Sequence, residues 1–507
     1  MPLPETLEPR IAGPPQARSE RLLAFYPWLV VGFLTIIAAL LRFHAIGAKN
    51  IWADEAVCIE MARLDWYNFL RILWRHEANM VLYTAMLRAW LLFGSSEAYI
   101  RTLSVLPALA TIPAVYVLGR KMFNARVGMI AAFLLTINAY HVRYAQEARS
   151  YSLYPLLCVL SSIYFLRFLE TPDRKNRIEH VLTSTLAVYA HFYAGLLVVV
   201  QWLSLRLLNR KELEPAMKKN WCQFAIAITP LILFVATTGV GMLRWLPKPH
   251  LIDLHICGLV LTGNGGDRLM YAYLAVCVVG ILPAFRGLLQ LRVEFDQWRY
   301  RYLLLWLLFP ILFIWVISQI KPFFLGRYFI FTLPALVLLA AAGIDRLRSR
   351  WLIGPALLLF LAWSLPPVYA FYQKDFDIGR EDFRTATAYI LSHAQPGDAI
   401  LFHQPIDRMP YEYYCSRIAA NTYPRVIYPE HGEKLKYKDF YAGHAADAFL
   451  ETVPESYRRV WVVLAYNTTP SGPDATTKFI DKLFGKQYAN VERKSFTGID
   501  VRLYSRP

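Results

Sequence analysis

Two adjacent carboxylates follow the first long apolar run of the chain. Asp54 and Glu55 lie in the sequence Trp52-Ala53-Asp54-Glu55-Ala56. A positioned carboxylate can take a proton from an attacking hydroxyl group, which makes this pair a candidate for general-base catalysis. The structural alternative is that Asp54 only caps a helix from Glu55 to Trp74, because Asp is a favoured N-cap residue. That helix would be amphipathic and would lie on the membrane surface.

A second charged group lies between two later apolar runs. The segment His141 to Tyr151 contains Arg143, Glu147 and Arg149. Ionisable residues at the end of a membrane helix are functional candidates, although an ion-pair cluster without catalytic function is an equal alternative.

A third, shorter segment adds Lys321 and the pair Arg327-Tyr328. An arginine in this position could bind a phosphate group through paired hydrogen bonds. It could also extend its side chain towards lipid headgroups without binding any substrate.

The composition indicates which elements must position these residues. The chain has 507 residues, of which 56% are hydrophobic and 18% charged, with a mean hydropathy of +0.33. This balance is typical of a polytopic α-helical membrane protein. The net charge of the chain is +17. Because membrane proteins collect Lys and Arg in their cytoplasmic loops, this charge does not lead us to predict a nucleic-acid partner. The six cysteines lack CxxC spacing, which argues against a zinc site or a disulfide framework.

Positive charges orient the predicted helices. Residues 1–22 are predicted to be a cytoplasmic tail, and residues 23–372 a transmembrane domain with roughly eleven crossings and active-site loops at 45–98 and 143–150. Two short crossings must meet near His191-Phe192-Tyr193, since one long helix there would invert everything that follows. The predicted cytoplasmic loops each hold a basic cluster: Gly119 to Arg126, Arg167 to Ile178, Arg206 to Lys219, Arg286 to Arg301 and Arg346 to Arg350.

The tail of the chain differs from the rest. Residues 373–507 lack long apolar runs, and we predict a soluble α/β domain outside the cytoplasm. Arg384 to His393 is predicted to be a helix, and Ala399 to Phe402 and Arg459 to Ala465 are predicted to be strands.

The order of these pieces resembles a known family, the GT-C type membrane glycosyltransferases. The similar branch is that of the protein O-mannosyltransferases and lipid A aminoarabinose transferases, which is related to bacterial glycosyltransferase family 39. The residues that carry the resemblance are Trp52-Ala53-Asp54-Glu55-Ala56, Asn79-Met80-Val81-Leu82-Tyr83, Leu92-Phe93-Gly94 with Glu97 and Arg101, Gly119-Arg120-Lys121-Met122-Phe123, Tyr144 to Leu153, His191-Phe192-Tyr193, Arg327-Tyr328 with Pro334, and Arg380-Glu381-Asp382-Phe383-Arg384.

The resemblance implies a function in the cell envelope. A sugar carried on a polyprenyl phosphate would be transferred, with inversion at the anomeric carbon, to a glycan, lipid or protein on the outer face of the bacterial inner membrane. Asp54 would be the catalytic base, with Glu147 as a second catalytic residue. The residues implied to bind substrate are Glu55, His76, Arg149, Lys321, Arg327 and Tyr328.

Some relatives bind a divalent cation in the first outer loop. Here Glu55, Glu77 and His76 could contribute ligands, but no spacing demands it. Many relatives have His-Pro-Pro where this chain has His76-Glu77-Ala78, which leaves the role of His76 open.

Two other classes of function remain at this stage. The chain could be a transporter or flippase of lipid-linked envelope intermediates, or a scaffold for envelope partners. Release of free lipid phosphate from a polyprenyl-phosphate sugar is expected only of the enzyme.

Overall fold

The computed structural model describes residues 14–75, 79–238, 246–285, 290, 292–373, 381–429, 445–469 and 472–507. Helices fill the part before residue 374. They are α1 Pro14–Phe43, α2 Ala53–Arg63, α3 Trp66–Arg75, α4 Val81–Trp90, α5 Glu97–Met122, α6 Ala125–Thr136, α7 Ala139–Ala145, α8 Leu153–Glu170, α9 Arg174–Ala190, α10 Ala194–Leu205, α11 Glu214–Thr238, α12 Leu251–Leu261, α13 Gly266–Ile281, α14 Phe295–Ile317, α15 Leu333–Asp345 and α16 Arg350–Gln373. Among the described residues of this part, three short 3-10 segments connect the helices, at Lys211–Leu213, Leu282–Phe285 and Gly326–Thr332.

The lengths of these helices support a multi-pass membrane protein. Among the described residues, eight helices are long and apolar enough to cross a membrane, and the bent pair α6 and α7 is a ninth candidate. Two shorter apolar helices, α10 and α12, are further candidates. The polytopic helical fold is therefore confirmed, whereas the number of roughly eleven crossings stays a prediction.

The break between α9 and α10 lies at residues 191–193, where the sequence required one. A second break separates α6 from α7, and the chain direction changes by 64° between these two helices. The fully buried Arg42 stabilises this bend, because it donates hydrogen bonds to the carbonyl groups of Leu135 (3.1 Å) and Thr136 (3.2 Å) at the end of α6. The side chain of Asn138 then caps α7 by accepting from the backbone N–H of His141 at 2.9 Å.

The five basic loops meet at one end of the helices. Hydrogen bonds and an ion pair join neighbouring loops, namely Lys121 to Glu170, Arg210 to Leu169, Asn209 to Val293, Arg299 to Met122 and Asn124 to Asp345. A common end is what alternation of the predicted crossings requires.

The predicted helix from Glu55 to Trp74 is wrong in one respect. The chain forms two helices, α2 and α3, which are separated at Leu64 and Asp65. The carboxylate of Asp65 accepts from the backbone N–H of Asn68 at 3.0 Å and so satisfies the first turn of α3. The exposed aromatic side chains of α3, Trp66 and Trp74, are those of a helix at a membrane surface.

The tail forms the predicted α/β domain. Its helices are α17 Phe383–His393, α18 Arg408–Cys415, α19 Asp447–Ser456 and α20 Ala475–Gln487, and its strands are β1 Ala399–Phe402, β2 Arg425–Tyr428, β3 Arg459–Ala465, β4 Thr468–Thr469, β5 Gly472–Pro473, β6 Asn490–Phe496 and β7 Ile499–Ser505. The main sheet has the order β2-β1-β3-β7-β6, in which β1 is parallel to β2 and β3, while β7 is antiparallel to β3 and β6.

The two faces of this sheet have different partners. Alternate side chains of β3, including Trp461 and Val463, belong to the same apolar core as the membrane helices. The intervening residues Val460 and Val462 belong to a separate core. Because side chains alternate along a strand, one face of the sheet packs towards the membrane domain.

Candidate functional site

Asp54 lies in the first turn of α2 and does not cap it. Trp52 occupies the N-cap position, so the structural alternative, in which Asp54 caps the helix, is wrong. Oδ2 of Asp54 instead forms ion pairs with Nη1 of Arg149 and, at 3.0 Å, with Nη2 of Arg327. The three side chains are between 13% and 24% exposed, so they form a largely buried cluster that solvent can still reach. Two guanidinium groups on one carboxylate are a charged centre to which a second anion can bind.

Arg149 is held by its backbone and by burial. Its carbonyl oxygen accepts from the hydroxyl group of Ser104 at 3.2 Å, and that hydroxyl group pairs with Tyr83 at 2.7 Å. Burial alone would lower the pKa of Arg149, but Asp54 raises it well above its usual value. Arg149 therefore stays charged at any physiological pH.

Arg327 lies in the 3-10 segment that precedes α15, and tyrosine hydroxyl groups hold this region. Tyr193 donates to the carbonyl oxygen of Phe323 at 2.6 Å, and Tyr140 donates to that of Gly326 at 3.0 Å. Tyr154 donates to the carbonyl oxygen of Tyr328. These bonds tie the segment to α7, α8 and α10, which fixes the guanidinium group of Arg327 against Asp54.

Glu55 lies beside Asp54 in the sequence but has different contacts. It is completely buried and forms a two-pronged ion pair with Arg101, with distances of 2.9 Å (Nε to Oε1) and 2.7 Å (Nη2 to Oε2). Oε1 of Glu55 also accepts from the backbone N–H of Ala148 at 2.8 Å. These bonds join α2 to α5 and to the loop that carries Arg149. The structure thus gives Glu55 a positioning role, and substrate binding by Glu55 stays a prediction.

Of the other predicted site residues, Glu147 and Tyr328 are buried near the cluster, whereas Lys321 is exposed. Glu147 is fully buried in the same loop and acts electrostatically on Arg149. Tyr328 is buried, and its ring lies 4.8 Å from that of His191. Lys321 is exposed, with its ammonium group 5.8 Å above the ring of Phe323.

A divalent cation was predicted only as an option. His76 and Glu77, two of its three candidate ligands, lie outside the described residues. In the parts of the chain that the structure describes, no group of three or more His, Cys, Asp or Glu side chains could hold a metal ion. Since Glu55 is bonded to Arg101, the described residues do not fit such a site, and we derive no step through a metal.

Sequence reasoning missed several residues of the site. Tyr151 was part of a recognised motif but received no role, and Tyr154 lies just beyond that motif. His191 was noted for the helix break and for the family resemblance, but it also received no role. Their rings pack together, with His191 stacked on Tyr154 at 4.7 Å and Tyr151 on Tyr328 at 6.3 Å. The one available signal was the density of Tyr and His in segments that were otherwise apolar.

Comparison with known proteins finds one matching family and several similar folds. The family described as Dolichyl-phosphate-mannose-protein mannosyltransferase matches residues 77–263. No curated protein matches the sequence. Among solved structures, the fold is similar to that of ArnT from Cupriavidus metallidurans in the apo state, at 11% identity and a TM-score of 0.61, with 95% of this chain and 98% of that chain covered.

Two further structures are similar. ArnT bound to undecaprenyl phosphate matches at 13% identity and a TM-score of 0.61, with 94% of this chain and 97% of that chain covered. AglB, the oligosaccharyltransferase of Archaeoglobus fulgidus, in complex with an inhibitory peptide and a dolichol-phosphate, matches at 12% identity and a TM-score of 0.53, with 94% and 74% covered. At these identities the structural likeness establishes the fold alone, because a fold does not determine function.

Proposed function

We propose that the chain is a membrane glycosyltransferase of the GT-C type that uses a lipid-linked sugar, and that it transfers this sugar, with inversion, to an envelope acceptor on the outer face of the bacterial inner membrane. Asp54 is the catalytic base in this proposal. Arg149 and Arg327 bind the phosphate group of the donor.

The observation that carries the proposal is the set of hydrogen-bond donors around Asp54. Within the described residues, the buried Nε atoms of Arg149 and Arg327 and the hydroxyl group of Tyr151 have no hydrogen-bond partner. A buried donor without a partner costs about 1–3 kcal/mol. A phosphate group offers several oxygen atoms to such donors and carries the charge that two arginines favour. The site therefore suits a phosphate better than an uncharged sugar alone.

The same two arginines link donor binding to the base. A phosphate that binds Arg149 and Arg327 competes with Asp54 for their N–H groups, so donor binding releases the carboxylate to accept a proton. Asp54 then takes the proton of the acceptor hydroxyl, and the acceptor oxygen bonds to the anomeric carbon while the bond from that carbon to the phosphate oxygen breaks. The electron pair leaves with the lipid phosphate, whose charge the guanidinium groups stabilise. Attack opposite the leaving phosphate inverts the anomeric carbon.

Two features support the outer face as the location of the reaction. The basic loops meet at one end of the membrane helices. Asp54, Arg149 and Arg327 lie at the other end, after α1, α7 and α14 respectively. Lys and Arg are enriched in cytoplasmic loops, so the second end corresponds to the outside. The α/β domain packs at that same end and would lie beside the acceptor.

The test is turnover by the purified full-length protein in lipid nanodiscs. We expect release of free polyprenyl phosphate from at least one member of a panel of polyprenyl-phosphate sugars when an envelope extract supplies the acceptor. The Asp54→Asn variant is the negative control. A transporter or flippase would move the donor between leaflets without cleaving it, and movement without cleavage across the whole panel would overturn the proposal.

A further inference from the structure

His191 lies at the break between α9 and α10, next to the arginine pair. Its side chain is 1% exposed and is surrounded by aromatic rings, those of Tyr154 at 4.7 Å, Tyr328 at 4.8 Å and Tyr193 at 5.4 Å. Burial lowers the pKa of His191, and Arg149 and Arg327 lower it further. The imidazole is therefore neutral, and it lies within electrostatic range of both arginines.

Hydrogen bonding determines which ring nitrogen carries the proton. The backbone N–H of Tyr193 donates to Nδ1 of His191 at 3.2 Å, so Nδ1 is the acceptor. A neutral imidazole has one acceptor and one donor, which assigns the proton to Nε2. Nε2 of His191 is buried and has no hydrogen-bond partner among the described residues. The ring thus presents an N–H donor that the protein itself does not use.

A second buried histidine provides the contrast. Nδ1 of His180, in α9, accepts from the amide of Asn220 at 2.9 Å, so its proton also lies on Nε2. That N–H donates to Oε1 of Gln201 at 2.9 Å. Burial of a histidine in this fold is therefore compatible with two satisfied nitrogen atoms. Nε2 of the buried His141, whose Nδ1 accepts from Nη2 of Arg42 at 2.7 Å, also has no partner among the described residues. What distinguishes His191 is its position beside Arg149 and Arg327.

Several segments are fixed around this donor. The side-chain oxygen of Asn79 accepts from the backbone N–H of Phe192 at 3.1 Å. The neighbouring Met80 lies 3.6 Å from Nη2 of Arg149, measured to its sulfur atom. The helix break, the start of α4 and the arginine pair therefore form one connected unit. A rigid unit of this kind holds a donor in a defined direction, as an anion-binding site requires.

We propose that Nε2–H of His191 is a further side-chain donor to the phosphate of the lipid carrier, beside Arg149, Arg327 and Tyr151. This inference rests on the proposed function. It adds a neutral donor that binds the phosphate through one directional hydrogen bond, whereas the arginines mainly supply positive charge. The ligand class is a polyprenyl phosphate, with its phosphate in the aromatic enclosure of His191, Tyr151 and Tyr328.

The experiment measures binding of undecaprenyl phosphate, and of undecaprenol as a lipid without phosphate, to the full-length protein in nanodiscs. We expect His191→Ala to weaken undecaprenyl phosphate binding by about ten-fold or more, since a hydrogen bond to a charged group is lost. Undecaprenol binding should change little. His191→Gln should recover most of the affinity because its amide nitrogen can approach the position of Nε2, whereas His191→Asn places its amide near Nδ1 and should not.

The matched control is His180→Gln, which alters a buried histidine whose two ring nitrogen atoms both have partners. It should leave the affinity for undecaprenyl phosphate unchanged even if it lowers the melting temperature. Equal affinities for the His191→Gln and His191→Asn variants, or an equal loss for both lipids, would overturn the inference, and this comparison remains decisive if His191→Ala does not fold. If the wild-type protein does not prefer undecaprenyl phosphate to undecaprenol, the proposed function itself fails. If that preference depends on Arg327 but not on His191, only the present inference fails.

Discussion

Nη2 of Arg327 lies 3.0 Å from Oδ2 of Asp54, so the predicted donor-binding cation and the predicted base form one ion pair. The two residues are far apart in the sequence, and Arg149 contacts the same carboxylate oxygen. In the proposed mechanism, donor binding and activation of the base are therefore not independent steps. A change at either residue should alter both in a defined direction.

Replacement of the base tests this coupling. Asp54→Asn should reduce turnover by on the order of 10²–10⁴-fold, because the amide cannot accept the proton. The same variant should bind undecaprenyl phosphate as tightly as the wild type or more tightly, since the carboxylate no longer competes for the arginines. Turnover and binding are measured on the same preparation, with the exposed Asp65→Asn as the control. Near-normal turnover of Asp54→Asn would contradict the catalytic assignment.

Replacement of Arg327 tests how the phosphate is bound. Arg327→Lys retains the charge but loses the planar group that forms paired hydrogen bonds, so the KM for the donor should rise. Arg327→Ala should raise it further. Initial rates against donor concentration provide the measurement. Arg350→Ala, at an exposed arginine before Trp351, is the control for general contact with lipid headgroups. Rates that are unchanged for both Arg327 variants would show that Arg327 only contacts bulk lipid.

The adjacent Glu55 should behave differently from Asp54. Glu55→Gln leaves the charge of Arg101 buried without its partner, and loss of one member of a buried ion pair costs about 3–5 kcal/mol. We expect a lower melting temperature in detergent, with little change in undecaprenyl phosphate affinity for the protein that remains folded. A normal melting temperature combined with weaker donor binding would instead support the predicted substrate-binding role of Glu55.

Glu60 should make stability depend on pH. Burial raises the pKa of Glu60 from its ordinary value of 4.5 to about 7, although Arg63 opposes this shift, Glu412 adds to it and Arg417 opposes it weakly. The folded state then binds more protons than the unfolded state between these values, so stability is highest below pH 4.5 and falls as the pH rises to about 7. The contribution is on the order of 3 kcal/mol.

Thermal unfolding between pH 5 and 8 provides the measurement for Glu60. Glu60→Gln should flatten the pH profile, whereas Glu451→Gln, at an exposed position of α19, should leave its slope unchanged. A wild-type profile that rises with pH over this range and does not respond to Glu60→Gln would reject the assignment.

Sidedness is tested by fusion of a reporter after Pro507. We expect activity from an alkaline phosphatase fusion, because this enzyme requires export. Green fluorescent protein fused at the same position should not fluoresce, because it reports a cytoplasmic location. The opposite pattern would invert the topology and move the reaction to the cytoplasmic face. Fusions after Arg210 should give the opposite result to fusions after Pro507 and serve as the internal control.

The sequence predicted the parts of the molecule that depend on local pattern. Both strands predicted in the tail have the observed bounds, and the helix break at His191 lies where the length of the apolar run required one. The sequence pattern could not predict that Asp54 forms ion pairs with two arginines and does not cap α2, because those contacts depend on tertiary packing. Likewise, the sequence around the adjacent Asp54 and Glu55 does not indicate that Glu55, and not Asp54, pairs with Arg101.

The contacts of the α/β domain have a consequence for protein engineering. Asp382 accepts from the side chain of Asn50 at 2.6 Å, and the hydroxyl group of Tyr414 accepts from the backbone N–H of Ile51 at 2.8 Å. These bonds hold the chain just before Asp54, and the sheet shares an apolar core with the membrane helices. The boundary at residue 373 is therefore not a place to cut. A chimera that exchanges the tail between relatives must exchange residues 47–51 with it, or the transplanted domain will leave the first turn of α2, which carries Asp54, without its support.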